Sequence, residues 1–175
     1  MNKKQKVELI IAAFLIVCGS LVLIFPLFKF VQVKLVFISV LGVYGLLNLI
    51  KFILVRESKD YEGLLTTLAS IISLVIVCFL DVENVPWYLA LSLFIWIIFM
   101  SLIKLKKADY YNDRKNNVWI LEIVTLILFI LSGLLTTINL YYENDIQILV
   151  LGYFYLIHGI LELVDPLTNY LVGKK

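Results

Sequence analysis

His158 is the only histidine in the 175-residue chain, and Glu162 follows it four positions later. On a helix this spacing puts both side chains on one face, and Tyr155, three positions before the histidine, extends the stripe. A hydroxyl, an imidazole and a carboxylate in line can sense or pass protons. A second carboxylate joins them if the last two apolar segments form an antiparallel hairpin turning near Glu143. Equal depth then places Glu122 beside Glu162, and the same construction places Glu8 beside Asn48. Two carboxylates withdrawn together from water resist carrying two charges at once. The candidate proton-sensing or relay group is therefore His158, Glu162, Glu122 and Tyr155. A structural reading of the same residues weighs more. Glu122 and Glu162 each stand about one turn from a helix end, where side chains reach water or basic loops at modest cost, and a neutral His158 can hydrogen-bond a neighbouring helix.

The elements that carry these residues are apolar. Hydrophobic residues make up 62% of the chain and charged residues 16%, and the mean hydropathy is +1.01, which excludes a soluble domain. Six charge-free intervals can be read directly: Leu9 to Phe28, Leu35 to Ile50, Gly63 to Leu80, Asn84 to Ile103, Ile123 to Tyr142 and Ile146 to Leu161. Each approaches the ~20 residues needed to cross a bilayer, and Lys51 and Glu162 can snorkel from the ends of the two shortest. The predicted fold is an all-α integral membrane bundle of six transmembrane helices, forming a single domain over 1–175. Lys3, Lys4 and Lys6 precede an apolar run as in a signal peptide, but no small-x-small site follows, so an uncleaved first helix is expected.

Basic residues set the expected orientation. Three lie at the N-terminus, three after helix two, five after helix four and two at the C-terminus, against Lys29 and Lys34 alone on the other side. Both termini are therefore expected in the cytoplasm, with the protein in the plasma or inner membrane. Pro26 is expected to end helix one, and Pro86 with Trp87 to begin helix four. Lys104, Lys106 and Lys107 are expected to close helix four, while Trp119, Tyr141 and Tyr142 anchor helix five at the interfaces.

A repeat organises the chain. Gly19 and Gly133 lie 114 apart, as do Gly45 and Gly159, so helices one and two superimpose on five and six without a gap. A middle copy at an offset of 53 places Ile72 and Ile98 at the glycine positions. The units are three tandem, parallel-oriented hairpins at about 7–55, 61–107 and 117–166. In lipid, helix association depends on close packing, so Gly19, Gly42, Gly45, Gly133, Gly152 and Gly159 are expected at helix contacts.

Three short hairpins, Gly19 followed by Pro26 in the first helix, and a second helix ending Gly45-Leu46-Leu47-Asn48 together resemble the HdeD-like acid-resistance membrane proteins. The resemblance covers almost the whole chain; Ile72 and Ile98 in the middle repeat depart from it, as does Leu140 where a proline would match Pro26. It implies a small six-helix inner-membrane protein linked to acid or general stress, with no catalytic residues to carry over. The residues themselves point away from enzyme chemistry: Cys18 and Cys78 have no CxxC spacing, and no HExxH, GxSxG or Walker-type loop occurs. No cofactor and no metal site is expected. The basic loop between helices four and five is interspersed with Asp109 and Asp113, which suits anionic lipid better than nucleic acid. The expected partners are membrane lipids and another membrane protein or further copies of the chain. The alternative is a small transporter or proton-linked channel built on His158, Glu162 and Glu122.

Overall fold

The computed structural model describes residues 3–24, 32–55, 60–82, 84–85, 87–140 and 144–172, with the side chains at 144, 145, 165 and 168–172 excepted. Pro26, Lys29, Arg56, Lys59, Pro86, Tyr141, Tyr142 and Glu143 lie outside the described residues. The chain forms α1 (Lys3–Val22), α2 (Val33–Val55), α3 (Glu62–Phe79), α4 (Trp87–Asp113), α5 (Val118–Asn139) and α6 (Asn144–Val172). All six are long and apolar enough to span a membrane. Their burial is that of a lipid-facing bundle. Leu46, Ile53, Leu135 and Ile138 are each more than 60% exposed, whereas Ser70, Ser73, Ser92 and His158 are fully buried. Polar groups point inward because hydrocarbon offers them no partner, and large aliphatic side chains point out because lipid accepts them.

The helices pack in chain order around a ring, and α6 closes it on α1. The most extensive seams are α1 with α6, α4 with α5 and α2 with α3, so the larger contacts join successive hairpins rather than the two helices of one hairpin. Glycines explain the tightest of them. A Cβ added at Gly19 would lie 2.4 Å from the Leu156 backbone nitrogen and 2.9 Å from the Gly152 carbonyl oxygen. One at Gly159 would lie 2.8 Å from the Ile16 nitrogen, and one at Gly152 would lie 3.0 Å from the Leu23 nitrogen. Backbone lies on backbone along this seam. A Cβ at Gly45 would lie 3.2 Å from the Ser70 Cβ across α2 and α3, and one at Gly133 would lie 2.6 Å from Ile97 Cδ1 across α5 and α4. Gly42 does not share this role, because the nearest atom to its added Cβ is Leu74 Cδ1 at 4.0 Å. Gly63, not expected at a seam, holds α3 so close to α2 that an added Cβ would lie 2.6 Å from the Asn48 carbonyl oxygen.

The buried residues of α1 are Glu8, Ile11, Ala12, Leu15, Gly19 and Val22; moved by 114 positions they become Glu122, Thr125, Leu126, Phe129, Gly133 and Thr136, the buried residues of α5. An offset of 53 fails for α3, since it carries Gly19 and Val22 onto the exposed Ile72 and Val75. An offset of 55 instead reaches the buried Gly63, Thr66, Thr67, Ser70 and Val77. In α4 an offset of 52 carries Tyr44 and Gly45 onto the buried Trp96 and Ile97. The connection from α3 to α4 is three residues shorter than that from α1 to α2, which is why no single offset serves the middle hairpin. Ile97 thus fills the place of a glycine and inserts where Gly133 leaves room.

Two helix ends differ from the sequence expectation. Helix α4 does not close at Lys104 to Lys107 but continues to Asp113, burying Ala108 on the way. Its 27 residues reach ~40 Å, longer than the hydrocarbon core. It ends in a Schellman motif: the Asn116 amide donates to the Tyr111 carbonyl at 3.1 Å, the Lys115 amide to the Asn112 carbonyl at 2.8 Å, and Lys115 takes φ 52°. Helix α6 runs past the expected end at Pro166, which stands inside it. Pro166 has no N–H to give to the Glu162 carbonyl one turn earlier.

Candidate functional site

Charged side chains that the sequence places near helix ends turn into the bundle rather than out of it. At the end where α1 begins and α6 finishes, Lys51 is 4% exposed and Glu8 is 6% exposed. Lys51 Nζ lies 3.1 Å from Glu8 Oε1 and 3.3 Å from Glu62 Oε2. Lys4 adds contacts to Glu8 at 3.7 Å and Glu62 at 3.9 Å, and forms an ion pair with Asp60. On the other side of the ring, Lys104 Nζ donates to Glu162 Oε1 at 2.8 Å, and Lys107 Nζ lies 3.5 Å from Glu122 Oε1. Lys107 also comes within electrostatic reach of Glu8 and Lys51, which links the two halves. Four lysines and four glutamates from all six helices form one layer. Burying a charge is costly unless it is paired and hydrogen-bonded, and here each finds an opposite partner.

The carboxylate pair expected at Glu122 and Glu162 is replaced by two lysine–carboxylate pairs, because the long α4 delivers Lys104 and Lys107 to the same depth. Glu8 likewise faces Lys51 rather than Asn48, whose amide donates back to the Tyr44 carbonyl at 3.0 Å. Sequence reasoning assigned Lys4, Lys51, Lys104 and Lys107 to topology and lipid contact and so missed their place here. The signal was the helical spacing of Lys104 and Lys107, which share a face with the buried Met100 and Ile97.

One turn deeper, His158 is fully buried in an aromatic chamber. Ring centroids of Phe129, Trp96, Tyr44 and Phe154 lie 5.0, 5.4, 5.5 and 6.0 Å from its own. His158 Nε2 shares a hydrogen bond with the Tyr44 hydroxyl at 3.4 Å and lies 3.9 Å from Glu162 Oε1. Its Nδ1 has no hydrogen-bond partner among the described residues. Tyr44 and His158 are the same repeat position, 114 apart, and Trp96 is the corresponding residue of α4; the three meet at the centre of the bundle. That correspondence could have found Tyr44. Trp96 Nε1–H donates to Ser70 Oγ at 3.3 Å, and Ser73 and Ser92 exchange hydroxyl contacts at 2.6 Å across α3 and α4.

Tyr155 does not join the stripe. It is buried toward α1, near Cys18, and its hydroxyl has no hydrogen-bond partner among the described residues. The structure brings together His158, Glu162, Lys104 and Tyr44, while Glu122 stands apart on Lys107. This arrangement can hold helices in register through charge, and it can hold a proton at His158 or Tyr44. Among the described residues, no group of three or more His, Cys, Asp and Glu side chains is placed to hold a metal ion. No protein-family model, curated protein or solved structure matches this chain, so its resemblance to the HdeD-like proteins rests on the hairpins and glycines of the sequence.

Proposed function

We propose that the chain is a non-enzymatic, multi-pass plasma or inner membrane protein with cytoplasmic termini, of the HdeD-like type. It contributes to acid or general stress resistance by contact with lipid, with another membrane protein or with further copies of itself. The observation that carries the scaffold reading is the mutual neutralisation of the buried charges: each inward glutamate faces a lysine, and rings rather than open space surround His158. The stress link is supported by the sequence resemblance alone. The test is proton and small-ion flux across liposomes holding the purified protein, at neutral and acidic external pH, beside acid survival of a deletion strain. The scaffold reading expects no flux above empty liposomes and reduced survival of the deletion strain.

A second reading, proton-linked transport, is favoured by a buried histidine whose Nδ1 has no hydrogen-bond partner among the described residues and which also reaches Tyr44 and Glu162. Flux that Glu162→Gln abolishes would put this reading first.

A further inference from the structure

The outer face of α3 and α4 carries a groove of about 980 Å³ that opens sideways at the charged end of the bundle. Its deeper part is lined by Leu65, Leu68 and Ile72 of α3 and by Phe99 and Leu102 of α4, all exposed to the lipid side. Its mouth carries Lys106, Asp109 and three tyrosines, Tyr61, Tyr110 and Tyr111. From Phe99 to Lys106 the groove passes from apolar to charged over ~10 Å of helix, the grading of a bilayer leaflet from acyl chain to headgroup. Tyrosines at that boundary are where amphipathic rings settle.

The charges at the mouth select the headgroup. Lys4 is held by Asp60, Glu8 and Glu62, and Lys107 by Glu122. Lys106 and Asp109 are exposed, share one face of α4 three residues apart, and have no ion pair among the described residues. One cation and one anion side by side match a headgroup that carries both a phosphate and an ammonium. A primary ammonium can donate hydrogen bonds to Asp109; a trimethylated one cannot. We propose that this groove binds a single zwitterionic phospholipid with a primary-amine headgroup, its phosphate at Lys106, its ammonium at Asp109 and an acyl chain along Ile72 and Leu102. The inference rests on the reading that the protein works through contact with lipid, and names the place and the lipid class.

The test is native mass spectrometry of the full chain, purified in detergent, with added phosphatidylethanolamine, phosphatidylcholine or phosphatidylglycerol of identical acyl chains. One phosphatidylethanolamine per chain is expected, retained about tenfold more tightly than the other two, as loss of a charge-assisted hydrogen bond implies. Lys106→Gln and Asp109→Asn should each weaken it about tenfold, and Ile72→Trp should weaken retention of all three lipids by placing an indole where the acyl chain lies. All three positions are exposed, so an unchanged unfolding midpoint certifies each variant. Equal retention of the three lipids would overturn the proposal, as would a chain dimer that Ile72→Trp dissociates. Retention untouched by the three variants would overturn the groove but leave lipid contact elsewhere intact, whereas no retained lipid at all would overturn both.

Discussion

Replacing Lys51 by Met removes the cation that two carboxylates share. Lys51 Nζ sits 3.1 Å from Glu8 and 3.3 Å from Glu62, and its side chain and that of Glu8 are 5% and 6% exposed. With an effective dielectric of ~20, each attraction is worth ~5 kcal/mol before desolvation. Releasing the ammonium from its buried site returns several kcal/mol, so the net loss falls in the range of ~3–5 kcal/mol found when one partner of a buried pair is removed. Lys4 keeps Glu62 and Glu8 partly compensated, which holds the expected loss at ~4 kcal/mol. The assay is unfolding in mixed micelles titrated with dodecyl sulfate, followed by tryptophan emission. Lys106→Met, which removes an exposed lysine, is the control. A double change, Lys51→Met with Glu8→Gln, should recover about half of the loss because one of the two carboxylates opposite the methionine is then neutral. If Lys51→Met lies within ~0.5 kcal/mol of the Lys106→Met control, the inward-facing charge layer is not what holds this end together.

Gly19→Ala sets a Cβ against the backbone of Leu156 and Gly152, which cannot yield as a side chain can, and should cost ~3 kcal/mol in the same assay. Gly42→Ala, where the added Cβ would meet only an ordinary van der Waals contact with Leu74, should be neutral or stabilising by up to ~1 kcal/mol. Lys115→Gly relieves a left-handed residue at the end of α4 and should raise stability by ~1 kcal/mol, read as a higher thermal midpoint. His158→Phe keeps an aromatic ring in the chamber while removing a buried nitrogen that has no partner among the described residues; the scaffold reading expects stability within ~1 kcal/mol of wild type and full stress protection, and a complete loss of protection by a folded variant would contradict it.

The helices were legible because charge-free runs of bilayer length have one reading in so apolar a chain. The relation of α1 to α5 was legible too, since glycines at fixed spacing stand out against aliphatic sequence. The middle hairpin was not: its helices carry different offsets, and the residues that take the glycine places, Leu74 and Ile97, look like any others in an apolar run. Lysine direction was also hidden. A lysine near a helix end reaches water or core equally well, and only the rotation of α2 and α4 within the ring decides it. The stripe through Tyr155 failed for the same reason. Spacing of three and four fixes a face roughly 100° wide, and its two edges meet different helices: Tyr155 lies by Cys18 of α1, while His158 meets Tyr44 of α2.

The closing seam between α1 and α6 joins the first helix of the chain to the last. As synthesis proceeds from the N-terminus, the face of α1 built around Gly19 has no mate until α6 has entered the bilayer, by which time the other seams can already have formed. The last docking event therefore bears the longest loop-closure entropy in the molecule and completes a ring that was open until then. An open ring is also one that a neighbouring nascent chain can close with its own α6. Crowded membranes would then favour exchange of that helix between copies, a route to domain-swapped dimers that slows where α6 follows quickly on the ribosome.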